Sequence, residues 1–384
     1  MFHRMLKPQQ HSFFLFGPRG TGKTTFLRSF FAEKKPLWID LLDPKTEDRY
    51  ARDPDTLIHE VEGSRGSLEW VVIDEVQKLP KLLDAVHFLI EKKGIKFALT
   101  GSSARKMKGG SANLLAGRAF VYHLFPLTAV ELGSSFDLGS VLRWGSLPAV
   151  ARMGTEPESS EFLRAYALTY LKEEIWGEHI IRRLDPFRRF LEIAAQMNGE
   201  IVNYANIAAD IGADLKTVQS HYVILEDTLV GVLLEPFHLS LRKRQRKNPK
   251  FYFFDTGVKS ALARSLDQPL TPGSYAYGKA FEHFVVLEAF RRNSYLRKDF
   301  RFSYLRTKDD AEIDLVLERP GLRSAFVEIK SAERVDERST RTLERFCRDF
   351  GRAEAFCLSR DPGVKKIGSV RALPWEKGLG ELGL

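Results

Sequence analysis

Short apolar runs alternate with helically spaced apolar residues over the first third of the chain. Phe13–Phe16 is a continuous apolar run that stops at glycine, and from Thr24 onward phenylalanines and a leucine recur at helical spacing. Trp70–Ile73 is a further apolar run with the length of a buried strand, and another strand is predicted over 96–104. Strands alternating with helices predict an α/β domain.

The alternation fades beyond residue 136, and a run of helices follows. Segment 159–176 has the spacing of one amphipathic helix, and Asp185–Pro186 predicts a break after it. Three short helices and then two strands are predicted over 187–197, 203–212, 214–230, 229–237 and 250–257. This order has the length of a helix-turn-helix with a two-stranded wing, so it predicts a winged-helix domain.

The last third of the chain returns to strands and a long helix. A helix is predicted over 277–290, and strands over 311–319 and 324–332. We therefore predict an α/β domain over 1–155, a helical connector over 156–185, a winged-helix domain over 186–258 and a second α/β domain over 259–384.

Composition fits several soluble domains. The chain has 384 residues, of which 43% are hydrophobic, enough to bury two or three cores. No apolar run approaches the ~18 residues of a membrane span, and the N-terminus lacks the apolar core of a secretory signal. We expect a cytoplasmic protein without a membrane partner. Cys347 and Cys357 have no metal-binding spacing and are expected to be free thiols.

A glycine-rich octet follows the first predicted strand. Residues 17–24 match the pattern GxxxxGK[ST], whose glycines let backbone N–H groups turn toward a polyphosphate, at the positive end of the next helix. Lys23 would reach the β- and γ-phosphates of ATP, and the Thr24 hydroxyl would hold Mg²⁺. The residues expected to bind the nucleotide are Gly17, Pro18, Arg19, Gly20, Thr21, Gly22, Lys23, Thr24 and Thr25.

Two carboxylates follow the apolar run Trp70–Ile73. Asp74 and Glu75 would lie at the C-terminal end of a strand, where open α/β sheets bind their ligands. We expect Asp74 to bind Mg²⁺ through water and Glu75 to take a proton from the attacking water. If the strand predicted over 96–104 lies between the two motifs, one hydroxyl at its polar end would orient that water or sense the γ-phosphate. The candidates are Thr100, Ser102 and Ser103.

The order of these motifs resembles a known family. The phosphate loop followed by VVIDEVQKLP, LTGSSA, LLAGRA and HLFPLTAVEL is similar to the AAA+ ATPases of a bacterial and archaeal group whose C-terminal half is a domain of unknown function. The resemblance runs the full length of the chain. It implies a P-loop AAA+ ATPase domain that uses ATP and Mg²⁺ and assembles as a homo-oligomer, such as a hexameric ring.

The resemblance also implies roles for single residues. The acidic pair at 74–75 would be the Walker B pair, and Ser102 or Ser103 the sensor-1 residue. Arg118 is a candidate arginine finger, which would stabilise the charge on the phosphoryl group transferred in a neighbouring subunit. Arg105 competes with it for this role.

A basic run joins the two predicted wing strands. Residues 241–250 hold six lysines or arginines and no acid, in a chain whose formal net charge is +9. Beside a recognition helix, such a run would contact DNA phosphates without reading a sequence. The candidate DNA-binding residues are Lys216 in the helix and Arg242, Lys243, Arg244, Arg246 and Lys247 in the wing. Lys250 ends the run at the wing, and His221 is expected to be a surface polar residue.

The C-terminal segment supplies a second set of candidates. Glu282 lies near the start of a predicted helix, Asp314 lies on a strand, and Glu328 and Lys330 alternate outward around Ile329 on the next strand. This order resembles the PD-(D/E)xK restriction-endonuclease-like fold. The resemblance implies an oxygen cage for Mg²⁺ from Asp314 and Glu328, with Glu282 as a further ligand, and a Lys330 that positions or deprotonates the attacking water. Such folds also persist as DNA-binding scaffolds, so cleavage stays open.

Three functions fit these motifs. The first is an ATPase that couples hydrolysis to DNA binding and remodelling, for instance of branched DNA in repair or recombination. The second is a metal-dependent nuclease regulated by ATP, and the third is a signalling switch that hydrolyses ATP slowly. We predict the first, because the chain begins with a complete set of ATPase motifs.

Overall fold

A computed structural model describes residues 2–64, 68–102, 115, 117–170, 184–237, 248–307, 311–350 and 353–384. These residues form two compact units. The first consists of the chain up to Leu127 together with Ile224–Val230, and the second of Thr128–Val223 and Gly231–Leu384. The domain boundaries expected from the sequence stay a prediction. Within the described ranges, no helix combines the length and the apolar character that crossing a bilayer demands.

The first unit is built on a parallel sheet. Its described strands are β1 (Phe13–Phe16), β2 (Leu37–Asp40), β3 (Trp70–Asp74), β4 (Lys96–Gly101) and β5 (Phe120–His123). They lie in the order β2-β3-β4-β1-β5, and every neighbouring pair is parallel. β4 thus lies between the strand that precedes the phosphate loop and the strand that ends in Asp74. The predicted α/β domain is confirmed.

Helices cover this sheet, and its inner strands β3, β4 and β1 are buried along nearly their whole length, whereas the outer strands β2 and β5 are only partly buried. The described helices are α1 (Lys23–Phe30), α2 (Pro44–Arg52), α3 (Thr56–Gly63), a 3₁₀ turn (Val76–Lys78) and α4 (Leu82–Lys93). One apolar cluster joins residues of β1 to β4 with the inner faces of α2, α3 and α4. Burial on both faces explains why β1 and β3 are continuous apolar runs rather than alternating ones.

The stretch of sequence after β5 and before the strands of the second sheet is mostly helical. Its described helices are α5 (Ala129–Leu132), α6 (Leu138–Trp144), α7 (Glu156–Ala165), α8 (Leu184–Gln196), α9 (Tyr204–Ile211) and α10 (Leu215–Asp227), with 3₁₀ turns at Gly133–Ser135 and Val150–Arg152. The three short helices predicted here are confirmed. The single helix predicted over 159–176 is not, because α7 ends at Ala165 and the chain continues as a π-helical segment, Tyr166–Tyr170. Residues 171–183 lie outside the described ranges.

A mixed sheet dominates the second unit. Its described strands are β6 (Gly231–Pro236), β7 (Lys250–Phe253), β8 (Arg301–Arg306), β9 (Glu312–Glu318), β10 (Ala325–Lys330), β11 (Glu354–Ser359), β12 (Lys365–Ile367) and β13 (Val370–Pro374), in the order β12-β13-β11-β10-β9-β8-β6-β7. The accompanying helices are α11 (Thr256–Leu262), α12 (Tyr275–Tyr295), α13 (Glu337–Phe350) and α14 (Trp375–Glu381).

The two predicted wing strands are present but belong to this larger sheet. β6 and β7 pair antiparallel, as expected for a wing. The end of β6 also pairs in parallel with β8, with Glu235 opposite Ser303. The antiparallel pair is therefore continuous with the C-terminal strands, and the assignment of a separate winged helix stays a prediction.

Helix α12 is buried around most of its circumference. All nine residues from Phe281 to Ala289 are buried, including Glu282, His283 and Glu288. The amphipathic helix expected over 277–290 is thus wrong in its burial, although the helix itself exists. A helix enclosed on all sides must pair its polar side chains internally, which makes the partners of Glu282 informative.

Candidate functional site

The phosphate loop lies between β1 and α1. Gly20 and Gly22 have positive φ angles of 79° and 87°, which glycine adopts without strain, so the backbone turns as a phosphate cradle requires. The Lys23 side chain is 6% exposed and lies inside the turn. Its ammonium donates to the carbonyl oxygens of Gly17 at 2.8 Å and Pro18 at 3.3 Å. The lysine is therefore held where a polyphosphate would enter the loop.

Tight packing fixes the start of the loop. A Cβ at Gly17 would lie 2.2 Å from the carbonyl oxygen of Leu124, just after β5. Thr21 is fully buried, and its hydroxyl donates to the loop backbone at 2.9 Å. Arg19 and Thr25, also predicted to contact the nucleotide, are exposed. Glycine at position 17 is required by this close approach.

Thr24 and Asp74 join the loop to the end of β3. The Thr24 hydroxyl donates to one carboxylate oxygen of Asp74 at 2.7 Å. The other carboxylate oxygen accepts from the Thr100 hydroxyl, which itself accepts from the Glu75 backbone N–H at 2.9 Å. This chain of contacts exists because β4 separates β1 from β3. Thr100 thus orients the two acidic residues.

Glu75 stands in an uncommon backbone conformation. Its φ of 60° and ψ of 47° are left-handed, a region that residues other than glycine rarely adopt and that is enriched at functional sites. The Gln77 side-chain amide donates to the Glu75 carboxylate and, at 3.3 Å, to the Ser102 hydroxyl. Gln77 therefore connects the end of β3 with the end of β4. Ser103 lies outside the described residues.

Arg118, the candidate arginine finger, forms an ion pair within the first unit. Its guanidinium contacts the carboxylate of Glu91, and its side chain is 37% exposed. The geometry is that of a surface pair, and the role across a subunit boundary stays a prediction. The competing Arg105 lies outside the described residues.

The nuclease-like candidates lie on adjacent elements of the second sheet. Strands β9 and β10 pair antiparallel with Leu315 opposite Val327, and Asp314 and Glu328 are the residues next to that pair. One carboxylate oxygen of Asp314 accepts from the Ile329 backbone N–H at 2.7 Å. Glu282, from α12, influences the titration of both carboxylates. We call Glu282, Glu312, Asp314 and Glu328 the acidic cluster.

Glu328 is buried, contrary to the outward orientation expected for it. It is 8% exposed, because both α12 and α13 pack against β10. Lys330 is more accessible, with a side chain that is 41% exposed and an ammonium 2.5 Å from a Glu328 carboxylate oxygen. Glu328 and Lys330 thus form an ion pair near the C-terminal end of β10.

Lys250 is not at an exposed wing tip, as the sequence suggested, but 1% exposed inside the second unit. It shares one face of β7 with Tyr252, and both side chains reach Glu282. The ammonium lies 3.5 Å from a Glu282 carboxylate oxygen and contacts Glu312 as well. A lysine can be buried here because these carboxylates compensate its charge.

The acidic cluster has strongly perturbed titration. Burial, together with the negative charges of Glu328 and Glu282, raises the pKa of Asp314 well above its usual value. Burial also raises the pKa of Glu328, against the opposing effect of Lys330. Burial alone would raise the pKa of Glu282, but Lys250 and Lys279 hold it below its usual value. Asp314 is thus the carboxyl that burial favours as a neutral acid.

The predicted recognition helix exposes one of its candidate residues and buries another. Lys216 is exposed on α10. His221 is 7% exposed and lies 5.0 Å, between ring centroids, from both Phe187 and Phe190. The expectation of a surface His221 is therefore wrong: burial lowers its pKa to about 4 and keeps it neutral. The wing residues Arg242, Lys243, Arg244, Arg246 and Lys247 lie outside the described residues.

Comparison with known families matches three consecutive segments. Residues 9–133 match the model of an AAA domain. The N-terminal region carries an AAA domain. Residues 135–268 and 277–377 match two domains of unknown function, DUF8612 and DUF4143. The protein is thus a nucleotide-binding, ATPase-like protein with a C-terminal DUF4143 domain.

Relatives with similar sequences carry no functional description. An uncharacterized protein of Mycobacterium tuberculosis and one of Mycobacterium bovis are each 28% identical over 318 residues, covering 82% of this chain and 69% of the relative. An uncharacterized protein of Haemophilus influenzae is 21% identical over 259 residues, covering 63% of this chain and 62% of the relative. The function therefore has to be argued from the sites.

Gln77 is the residue of the AAA domain that the sequence reasoning missed. It is 9% exposed and contacts the carboxylate expected to activate water. The sequence feature that could have identified Gln77 is its position two residues after Glu75, inside the same short motif. That proximity did not show that the side chain also reaches Ser102, since this contact depends on the pairing of β3 with β4.

Proposed function

We propose that the protein is an Mg²⁺-dependent ATPase that couples ATP hydrolysis to the binding and remodelling of DNA, acting as a ring-shaped homo-oligomer. The observation that carries the ATPase half is the 2.7 Å hydrogen bond from Thr24 to Asp74. It places the hydroxyl that ends the phosphate loop against the carboxylate that ends β3, which is the pairing a magnesium nucleotide needs.

Magnesium fits the donor set at this point. The Thr24 hydroxyl and the Asp74 carboxylate are hard oxygen ligands, and Asp74 is supported by the Thr100 hydroxyl. When bound, Mg²⁺ would neutralise charge on the phosphate oxygens. Lys23 would contribute a second positive charge to the same polyphosphate.

Glu75 is proposed as the general base. Its left-handed backbone and its hydrogen bond from Gln77 hold the carboxylate beyond the end of β3, separate from the buried Asp74. Two adjacent carboxylates then have different roles, one for the metal and one for the water. Ser102, linked to Gln77, would sense the γ-phosphate from the next strand.

DNA binding is supported by charge and by exposure. The chain has a net charge of +9, and residues 241–247 contribute a dense basic run. Lys216 is exposed on α10, together with Gln219 and Ser220 on the same helix. These groups suit contact with phosphates rather than with base edges. The second unit would thus provide the grip on DNA.

ATP hydrolysis with and without DNA tests the proposal. Wild-type protein should hydrolyse ATP faster in the presence of forked, junction or duplex DNA. Lys23→Ala should abolish nucleotide binding, because the loop loses its phosphate ligand. Glu75→Gln should bind ATP normally and hydrolyse it roughly 10²-fold more slowly or worse, since only the general base is lost. Nucleotide affinity would be measured by fluorescence titration and turnover by phosphate release.

Two matched variants control for unspecific damage. Lys35→Ala removes an exposed lysine just beyond α1, and Asp40→Asn changes the carboxylate that ends β2 and accepts from Leu42 N–H at 2.9 Å. Both should bind and hydrolyse ATP as the wild type does. Equal loss of binding in Lys23→Ala and Glu75→Gln would contradict the division of roles. ATP turnover that no DNA alters would favour a signalling switch over a DNA-dependent ATPase.

A further inference from the structure

Lys250 contacts two members of the acidic cluster. Its ammonium is buried, lies 3.5 Å from a Glu282 carboxylate oxygen and contacts Glu312. It also lies 5.6 Å from the centre of the Tyr304 ring. Two carboxylates therefore contact one buried positive charge, at a place where a metal-dependent nuclease would hold a divalent cation.

Further partners also engage the cluster, although Oε2 of Glu328 is buried without a hydrogen-bond partner. Glu282 accepts from the Tyr252 hydroxyl at 2.7 Å and from Lys279 at 3.3 Å. Glu328 is paired with Lys330. Asp314 accepts from a backbone N–H. A divalent cation needs several of these oxygens within about 2.0–2.6 Å at once, so it would have to displace ammonium groups that are already hydrogen-bonded.

The described side chains do not form a metal-binding set. Among the residues that the structure describes, no group of three or more histidine, cysteine, aspartate or glutamate side chains is arranged to hold a metal ion. Asp314 and Glu328 lie on neighbouring strands of the sheet, but Glu282 is turned toward Lys250 and Tyr252. The residues therefore do not fit the metal cage that the restriction-endonuclease-like order implies.

We propose that Lys250 is the resident cation of the acidic cluster, in place of a divalent metal, and that the C-terminal domain holds its fold without cleaving DNA. The ammonium links β7 to α12 through Glu282 and to β9 through Glu312. The positive charge of Lys250 offsets the repulsion between the buried carboxylates, as a bound metal ion does in other proteins. This inference does not depend on ATP hydrolysis.

Manganese binding tests the proposal on the full-length, nucleotide-free protein. The Asp74→Asn background removes the metal ligand of the AAA domain, and unbound Mn²⁺ is counted by electron paramagnetic resonance. In this background we expect no saturable Mn²⁺ binding. Adding Lys250→Ala should create one saturable site per chain, because it frees carboxylate oxygens and removes the positive charge. Adding Asp314→Asn to that variant should abolish the new site.

Lys279→Ala is the matched control. Lys279 also contacts Glu282, but its side chain is 28% exposed and pairs with Glu200, so its removal should create no Mn²⁺ site.

Two results with otherwise native protein would overturn the proposal. The first is saturable Mn²⁺ binding by the Asp74→Asn variant that disappears when Asp314→Asn is added. The second is plasmid nicking by the wild-type protein that Asp314→Ala abolishes. A folded Lys250→Ala that gains no site would overturn it too. If Lys250→Ala does not fold, the comparison of Asp74→Asn with Asp74→Asn/Asp314→Asn decides by itself: absence of an Asp314-dependent site supports the proposal, and its presence refutes it.

Discussion

Removing the charge of Lys250 should destabilise the second unit. Lys250→Met keeps a flexible side chain of similar length but leaves Glu282 without one of its partners. The side chains of Lys250 and Glu282 are 1% and 10% exposed, so little water can replace the lost ammonium. A buried carboxylate deprived of its counter-charge has to be compensated by other groups or take up a proton.

The expected cost lies at the low end of the range for broken buried ion pairs, about 3 kcal/mol. The low end applies because Glu282 keeps Lys279 and Tyr252 as partners, and because Glu312, 26% exposed, can reach water. For a unit of this size, a loss of about 3 kcal/mol corresponds to a fall in melting temperature of roughly 6–12 °C.

A double-mutant cycle with Glu282→Gln isolates the pair. Differential scanning calorimetry of the full chain would give the melting temperature of the transition that responds to either variant. The double variant should melt higher than the sum of the two single losses predicts, with a coupling of about 1–3 kcal/mol, since the residues are in direct contact. Lys279→Met, at a more exposed position, should cost less than about 1 kcal/mol.

Additive losses would refute the ion pair as a stabilising contact. A melting temperature of Lys250→Met within about 2 °C of the wild type would refute the burial argument itself, because a drop of that size corresponds to less than about 1 kcal/mol.

Two further predictions concern a glycine and a histidine. Gly17→Ala should weaken nucleotide affinity, because its Cβ would meet the Leu124 carbonyl oxygen at 2.2 Å. Gly63→Ala, with open space around the new Cβ, should leave the affinity unchanged. An unchanged nucleotide dissociation constant in Gly17→Ala would contradict this reasoning. Burial lowers the pKa of His283 to about 3, and its Nε2–H donates to the Phe253 carbonyl at 2.6 Å. The folded state therefore binds fewer protons than the unfolded state between pH 6.5 and 3, so this residue's contribution to stability falls as pH falls, by at most about 1.4 kcal/mol per pH unit. His283→Gln should flatten the decline of melting temperature between pH 7 and 4, and an equal slope in both proteins would refute this.

The sequence predicted the AAA domain because the motifs that define it are local. The phosphate loop is fixed by eight consecutive residues, and its glycines adopt the positive φ angles that the pattern requires. The contact of Thr100 with Asp74 depends on a strand order that the sequence left as a condition, with a hydroxyl-bearing strand between β1 and β3. Local motifs and a sheet order together determined which side chains meet.

His221 shows a signal that was present and overlooked. Val218, His221 and Tyr222 recur at the spacing of one helical face, and all three are buried. Between the rings of Phe187 and Phe190, the imidazole serves as a neutral packing group. Its polar side chain suggested exposure, but its position in the helix predicted burial.

Lys250 could not be placed from sequence. It follows a dense run of basic residues, so its neighbours in the chain indicated a solvated wing. Its partners are 32 and 62 residues further along, on α12 and β9, and no periodicity in the sequence brings them together. The burial of a charge depends on long-range compensation, which composition and spacing do not encode.

The two acidic sites of the chain differ in how their charge is balanced, and this difference separates their chemistry. In the AAA domain, Asp74 accepts hydrogen bonds from two neutral hydroxyls, those of Thr24 and Thr100, so its negative charge is available to a cation that arrives with a nucleotide. In the second unit, Glu282 and Glu328 are paired with lysines of the chain itself. Clustered carboxylates beside a sheet are common to both, so the residue types alone do not distinguish a metal site from an ion-pair cluster. The deciding feature is whether the neighbouring donors are neutral or charged.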